Sequence, residues 1–146
     1  MARYSLIALA SAIGIVIGLG TYTFVYARGA SYLSNDPDTC RNCHVMREQF
    51  DAWMKSSHAS VAVCNDCHTP HRLVPKYATK ALNGFWHSFA FTTGWFPDAI
   101  RITERNRSVT DNSCSTCHAD AVAAMPVATG DSTECLKCHR SVGHLH

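Results

Sequence analysis

From Tyr4 to Ala27 the chain reads YSLIALASAIGIVIGLGTYTFVYA, 24 positions without a charged side chain. As a helix rising about 1.5 Å per residue this run spans roughly 36 Å, enough for a hydrocarbon core of about 30 Å. Arg3 and Arg28 bracket it. A removable signal peptide has a shorter apolar region of about 7–15 residues, and Ala27-Arg28-Gly29-Ala30 is a poor small-residue cleavage site. Residues 1–30 therefore read as an uncleaved transmembrane anchor. Ala10, Gly14 and Gly18 recur every fourth position, a spacing at which helices approach closely. Self-association and ordinary glycine usage in membrane helices explain that stripe equally well. Tyr22, Tyr26 and Tyr32 suit an interfacial aromatic belt.

After the anchor the pattern changes. Val45 to Ser57 fits a short helix with Phe50, Trp53 and Met54 on one side. Leu73 to Ile100 gathers Phe85, Trp86, Phe89, Phe91, Trp95 and Phe96, preceded by Lys76 and Lys80 one helical turn apart. Such a segment either packs on cofactor faces or lies in the membrane interface, aromatics down and lysines at headgroup level. The interfacial reading is favoured, because the anchor already holds this part of the chain at the membrane. Pro126 and Gly130 break the segment near the C-terminus. The fold class expected is mainly α: one N-terminal transmembrane helix, then a domain of short helices with little sheet.

A remaining chain of this size supports only a modest side-chain core, and its eight cysteines point to what supplies the rest. They form four Cys-x-x-Cys-His motifs: Cys40, Cys43, His44; Cys64, Cys67, His68; Cys114, Cys117, His118; and Cys135, Cys138, His139. This is the attachment signature of c-type haem, two thioethers with an adjacent histidine as axial ligand. Paired Cys-x-x-Cys units also occur at zinc sites. A histidine closing every motif, four times over, suits haem and is superfluous for zinc. Four covalent haems, and a role in moving electrons, follow.

The motifs come as two dihaem halves, 31–72 and 107–146, joined by the aromatic-rich insert 73–106 within a domain of 31–146. Thioether haems are made outside the cytoplasmic membrane, which puts the N-terminus in the cytoplasm and the haem domain in the periplasm. The formal net charge of +2 excludes little by itself. Four ferric haems at about −1 each take it to roughly −2, and reduction to roughly −6, so a basic nucleic-acid surface is not expected. Second axial ligands are needed, usually His or Met. Those outside the motif histidines are His58, His71, His87, His144, His146, Met46, Met54 and Met125, besides Met1.

Beyond these motifs the chain resembles the membrane-anchored tetrahaem quinol dehydrogenases of the NapC/NrfH type, and within them the small subunits of cytochrome c nitrite reductases. The likeness runs through the anchor, SYLSNDPDTCRNCHVM, SSHAS, CNDCHTPH, KYATKA and CHRSVGH. The resemblance implies that Met46, in place of His44, binds the first iron. It implies His58 and His144 as distal ligands of the central haems, whose motif ligands are His68 and His118. His139 serves the fourth haem, whose other ligand is a lysine from the catalytic partner. Lys80 matches a lysine of the quinol pocket. Where some members carry an aspartate near the open face of the first haem, this chain has His87, which could accept a proton or bind iron. No role is assigned to His71 or His146. The activity implied is oxidation of menaquinol, with electrons passed to a periplasmic pentahaem nitrite reductase. The alternatives are a general quinol dehydrogenase feeding nitrate or trimethylamine N-oxide reductases, and a passive tetrahaem shuttle.

Overall fold

The computed structural model describes residues 2–125 and 134–144; Pro126, Gly130 and His146 lie outside them. The described residues are mainly α, with short 3₁₀ segments and no strand. They form two compact units, Met1–Ser34 and Asn35–His146.

The first unit is built on α1 (Ala2–Tyr26), which buries none of its side chains. Its length and a mean hydropathy of 1.9 suffice for a membrane crossing. Tyr22 and Tyr26 stack at its end with ring centroids 6.0 Å apart. The helix closes through Ala27 N–H donating to the Thr23 carbonyl (2.8 Å) and Arg28 N–H to that of Val25 (3.0 Å). Arg28 adopts a left-handed φ of 51°, a conformation costing an L-residue about 1–2 kcal/mol. Glycine is required next, because a Cβ at Gly29 would collide with the Phe24 ring. A 3₁₀ segment, Gly29–Leu33, follows.

The second unit opens with a 3₁₀ segment at Pro37–Asn42, where the Asp36 carboxylate accepts Asp38 N–H at 3.0 Å. Another at His44–Met46 leads into α2 (Arg47–Met54). Then come α3 (Cys64–His68), α4 (Leu73–Thr93), α5 (Glu104–Cys117), α6 (Ala119–Ala123) and α7 (Cys135–Cys138). The local signals are ordinary. Asp66 caps α3 by accepting Val63 N–H at 2.9 Å. Thr103 caps α5 through Asn106 N–H at 3.4 Å. Gly94, at φ 69°, closes α4 in the left-handed conformation that glycine adopts freely.

Little of this unit is held by apolar side chains. Among the described residues only Phe50 and Ala52 form a buried apolar pair; the other buried groups are Ser56, Thr69, Lys80, Thr110, Asp111 and Ser113. A conventional domain buries one contiguous hydrophobic cluster. Here the packing that organises the unit runs between elements bearing the cysteine motifs: Pro37–Asn42 touches α3, α3 touches α5, and α5 touches α7. The four motifs thus lie along one path in their order in the chain.

The insert is largely a helix. On α4, Val74, Leu82, Phe85, Trp86 and Phe89 face solvent, while Lys80 is only 3% exposed. The expected placement of both lysines at headgroup level therefore does not hold for Lys80. At 100° per residue, Lys80 falls on the side away from Phe85 and Phe89 and shares its side with Asn83 and Phe91, the side turned into the unit.

Candidate functional site

In the second, third and fourth motifs the five residues make one helical turn. Thr69 N–H donates to the Asn65 carbonyl (3.1 Å), His118 N–H to that of Cys114 (2.9 Å), and His139 N–H to that of Cys135 (2.9 Å). One turn places residues i, i+3 and i+4 on a common face, so two thiols and an imidazole address the same side. Sulfurs of successive motifs interact: Cys40 with Cys64, Cys67 with Cys117, and Cys114 with Cys135. Cys40 and Cys64 share a hydrogen bond that lowers the Cys40 thiol to about 7 and raises that of Cys64. Burial raises the Cys114 thiol to about 11.

The histidines pair across motifs. His58, from the loop after α2, has its ring centroid 6.1 Å from that of His118. His144 lies 6.0 Å from His68. Two metal–imidazole bonds of about 2.0 Å each, plus the inner halves of two rings, also come to about 6 Å. These pairs therefore have the span of two imidazoles on opposite sides of one iron. The orienting bonds agree. His144 Nδ1–H donates to the Gln49 carbonyl at 2.9 Å, and His58 Nδ1 meets Ser57 Oγ at 3.3 Å. Both leave Nε2 for a metal, the usual arrangement of a ligating histidine. Burial, with His144 nearby, lowers the pKa of His68 to about 4, keeping it in the neutral form that a metal binds. Covalent c-type haem fits this donor set. Among the described residues no three Cys, His, Asp or Glu side chains gather as a zinc site would need.

The first motif departs from the other three. Its 3₁₀ segment stops at Asn42, Cys43 is extended (φ −84°, ψ 120°), and His44 begins a new turn ending at Met46. The break puts His44 out of the one-turn register. Its ring instead meets the edge of Phe91, centroids 6.0 Å apart. Lys80 sits beside this motif, near enough to Cys40 for their charges to interact. Its Nζ donates to Asn35 Oδ1 at 3.1 Å and lies 5.8 Å from the centre of the Tyr77 ring. Burial first, then Lys76, lowers its pKa. His87 is on the same helix and remains exposed. Desolvation by neighbouring chain and the Arg105 guanidinium hold its pKa below the usual histidine value.

His139 ends α7 with an exposed side chain. His71 turns back on its own loop, donating to the Asp66 carbonyl at 3.1 Å. Sequence reasoning passed over Asn35 and Asp111, and grouped Phe91 with its neighbouring aromatics without its contact to His44. No local pattern marks these contacts, because each joins partners 25 or more residues apart.

The chain is similar to known proteins over most of its length. The model of the NapC/NirT cytochrome c family, N-terminal region, matches residues 1–146. The cytochrome c-type protein NrfH of Wolinella succinogenes is 36% identical over 143 residues, covering 89% of this chain and 80% of the relative. The cytochrome c nitrite reductase subunit NrfH of Nitratidesulfovibrio vulgaris is 32% identical over 145 residues, covering 99% of this chain and 86% of the relative. A chain in the crystal structure of a cytochrome c nitrite reductase NrfHA complex bound to the HQNO inhibitor superposes with a TM-score of 0.66 at 29% identity, covering 95% of this chain and 90% of that one.

Proposed function

The chain belongs to the NapC/NirT cytochrome c family, and from that premise we propose that it oxidises menaquinol at the membrane and supplies the electrons to a periplasmic pentahaem nitrite reductase that forms ammonium. Both relatives bear the name NrfH, and the related solved chain belongs to a nitrite reductase complex holding an inhibitor. The chain is a single-pass membrane protein, with α1 as its anchor. The N-terminus lies in the cytoplasm and the cytochrome domain in the periplasm, where thioether attachment takes place.

The observation that carries the reading is the crossed pairing of His58 with His118 and His68 with His144. Each pair joins segments remote in the chain and ties a ligand position to a cysteine pair. Eight cysteines hold four haems: Cys40 and Cys43, Cys64 and Cys67, Cys114 and Cys117, Cys135 and Cys138. His58 and His118 ligate the third iron, His68 and His144 the second, and His139 the fourth. The exposed His139 side leaves room for a lysine of the catalytic partner. Met46 ligates the first iron, since the break at Cys43 turns His44 onto Phe91. When bound, the haem irons supply one-electron carriers for the pair of electrons that a quinol releases.

This chain's side chains manage the rest of that oxidation. A quinol gives up two protons with its two electrons. Lys80, buried beside the first motif, donates a hydrogen bond to a quinol oxygen and holds the ring in place. His87, neutral because its pKa is depressed, takes the two protons one after the other and returns each to solvent from its exposed position. The outward aromatics of α4 lie in the membrane interface and bring the pocket to the level of the quinol headgroup.

Two results are expected. Intact mass after acid and detergent extraction should exceed the polypeptide by four haems of about 0.6 kDa each; fewer in fully matured protein would overturn the assignment. Met46→Ala should alter the spectrum of one haem and lower its potential if His44 takes over, because a thioether ligand raises potential relative to a second imidazole. An unchanged spectrum would return His44 to the first iron. The function itself is tested by purifying the complex and following haem reduction by menaquinol and turnover with nitrite. Loss of quinol-driven reduction would leave a passive shuttle, and a co-purifying reductase of another kind would leave a general quinol dehydrogenase.

A further inference from the structure

We infer that Asp111 is a positioning residue for electron exit: its carboxylate holds the fourth attachment helix against the third and so sets the relation between the last two haem-binding turns. The inference rests on the haem assignment above and goes beyond it. Asp111 is 8% exposed. Its Oδ1 accepts the backbone N–H of Leu136 at 2.9 Å, across 25 residues of chain. Leu136 lies between Cys135 and Cys138, and Asp111 one turn before Cys114. The bond thus joins the third and fourth attachment turns directly.

The need for it follows from the size of α7. This helix has four residues and its N-cap, Glu134, makes no side-chain cap bond. Glu134 is instead paired with Lys137 at 3.0 Å. The first N–H groups of any helix lack intrahelical acceptors, and so short a helix has little propagation to offset nucleation. Asp111 supplies the acceptor from another element, as a carboxylate, which forms a stronger bond to N–H than a neutral group does. Four hydroxyl side chains of α5 behave differently. Thr110, Ser113, Ser115 and Thr116 each bond back to a carbonyl one turn earlier on their own helix. Asp111 instead carries its side-chain hydrogen bond across to α7. Electron tunnelling falls steeply with distance, so a loosened α7 slows the last transfer within the chain even when every thioether and His139 remain.

The test uses full-length, fully matured protein in detergent, alone and with its catalytic subunit. Asp111→Ala, Asp111→Asn and Asp111→Glu are compared by haem mass, by electron paramagnetic resonance of the oxidised protein, and by the rate of electron delivery. The fourth haem's signal is identified as the one changed in His139→Ala. Asp111→Ala should keep four haems, shift or broaden that signal alone, and slow delivery by about ten-fold, the scale on which lost outer-shell partners act. Asp111→Asn, which keeps an acceptor oxygen, should restore both. An unchanged signal and rate in Asp111→Ala overturns the inference. So does an Asn variant matching Ala, which would place the effect in the charge rather than the bond. If Asp111→Ala does not mature, Asp111→Glu, longer by one methylene, decides: displacement confined to the fourth haem supports the inference and an unchanged signal overturns it. Failure of nitrite turnover in the unaltered protein would remove the assigned partner while leaving the resonance measurement decisive for Asp111.

Discussion

Replacing His58 or His144 with alanine is expected to turn one low-spin haem high-spin while all four remain covalently bound. The thioethers depend only on the cysteines, so attachment survives. The sixth ligand of one iron does not, because each of these imidazoles faces a motif imidazole about an iron's span away, 6.1 Å for His58 and His118 and 6.0 Å for His144 and His68. The two variants should differ in which haem changes: the third for His58→Ala, the second for His144→Ala. Electron passage should fall by about 100-fold or more in either, since both central haems lie on the path through the chain and loss of even an outer-shell partner costs about 10–100-fold at metal sites. Visible and electron paramagnetic resonance spectra check this, together with quinol-driven reduction of the terminal haem. Unchanged low-spin spectra in both variants would mean that the ring pairs are packing contacts.

The second large effect is expected at the quinol end. Lys80→Met should lower menaquinol oxidation by about 10–100-fold while reduction by dithionite stays normal, the scale of one lost hydrogen bond from a charged donor, about 1.5–3 kcal/mol. Lys80 is buried against the first motif and held by Asn35, so its loss removes a hydrogen-bond donor that solvent cannot replace. His87→Ala should slow the same step with a distinct pH signature. The pKa of His87 is lowered, so in the unaltered protein its neutral, accepting form persists to below the usual value of about 6.5. Turnover should therefore fall with acidification only below that value, and His87→Ala should lose that limb. Normal quinol turnover in both Lys80→Met and His87→Ala would place the site elsewhere, and the loop bearing His71 and Arg72 would be examined next.

How much of this was legible beforehand depended on the range of the interactions. The anchor was readable because an uninterrupted apolar run acts alone, whatever surrounds it. The haem motifs were readable because two cysteines and a histidine fall within five consecutive residues. The amphipathic α4 was only half readable. Phe85, Trp86 and Phe89 face outward while Phe91 meets His44, and Lys80 was placed with the headgroups, because spacing along a helix cannot say which polar residue finds a buried acceptor. Asn35 supplies that acceptor from 45 residues away.

By itself, then, the sequence determined the single apolar helix, the mainly α character and the four Cys-x-x-Cys-His motifs, each dictated by neighbours within a few positions. Its resemblance to a known family pointed to His58, His144 and Met46. What only the tertiary structure decided is which groups meet. It brings His58 to His118 and His144 to His68, turns His44 onto Phe91 through the extended Cys43, and lays the motifs along one path with Asp111 bridging the last two. The physical reason is that the histidine pairs and buried hydrogen bonds join segments far apart in the chain. Their energies depend on distances of a few ångströms set by the folded backbone as a whole, which no local pattern of residues records.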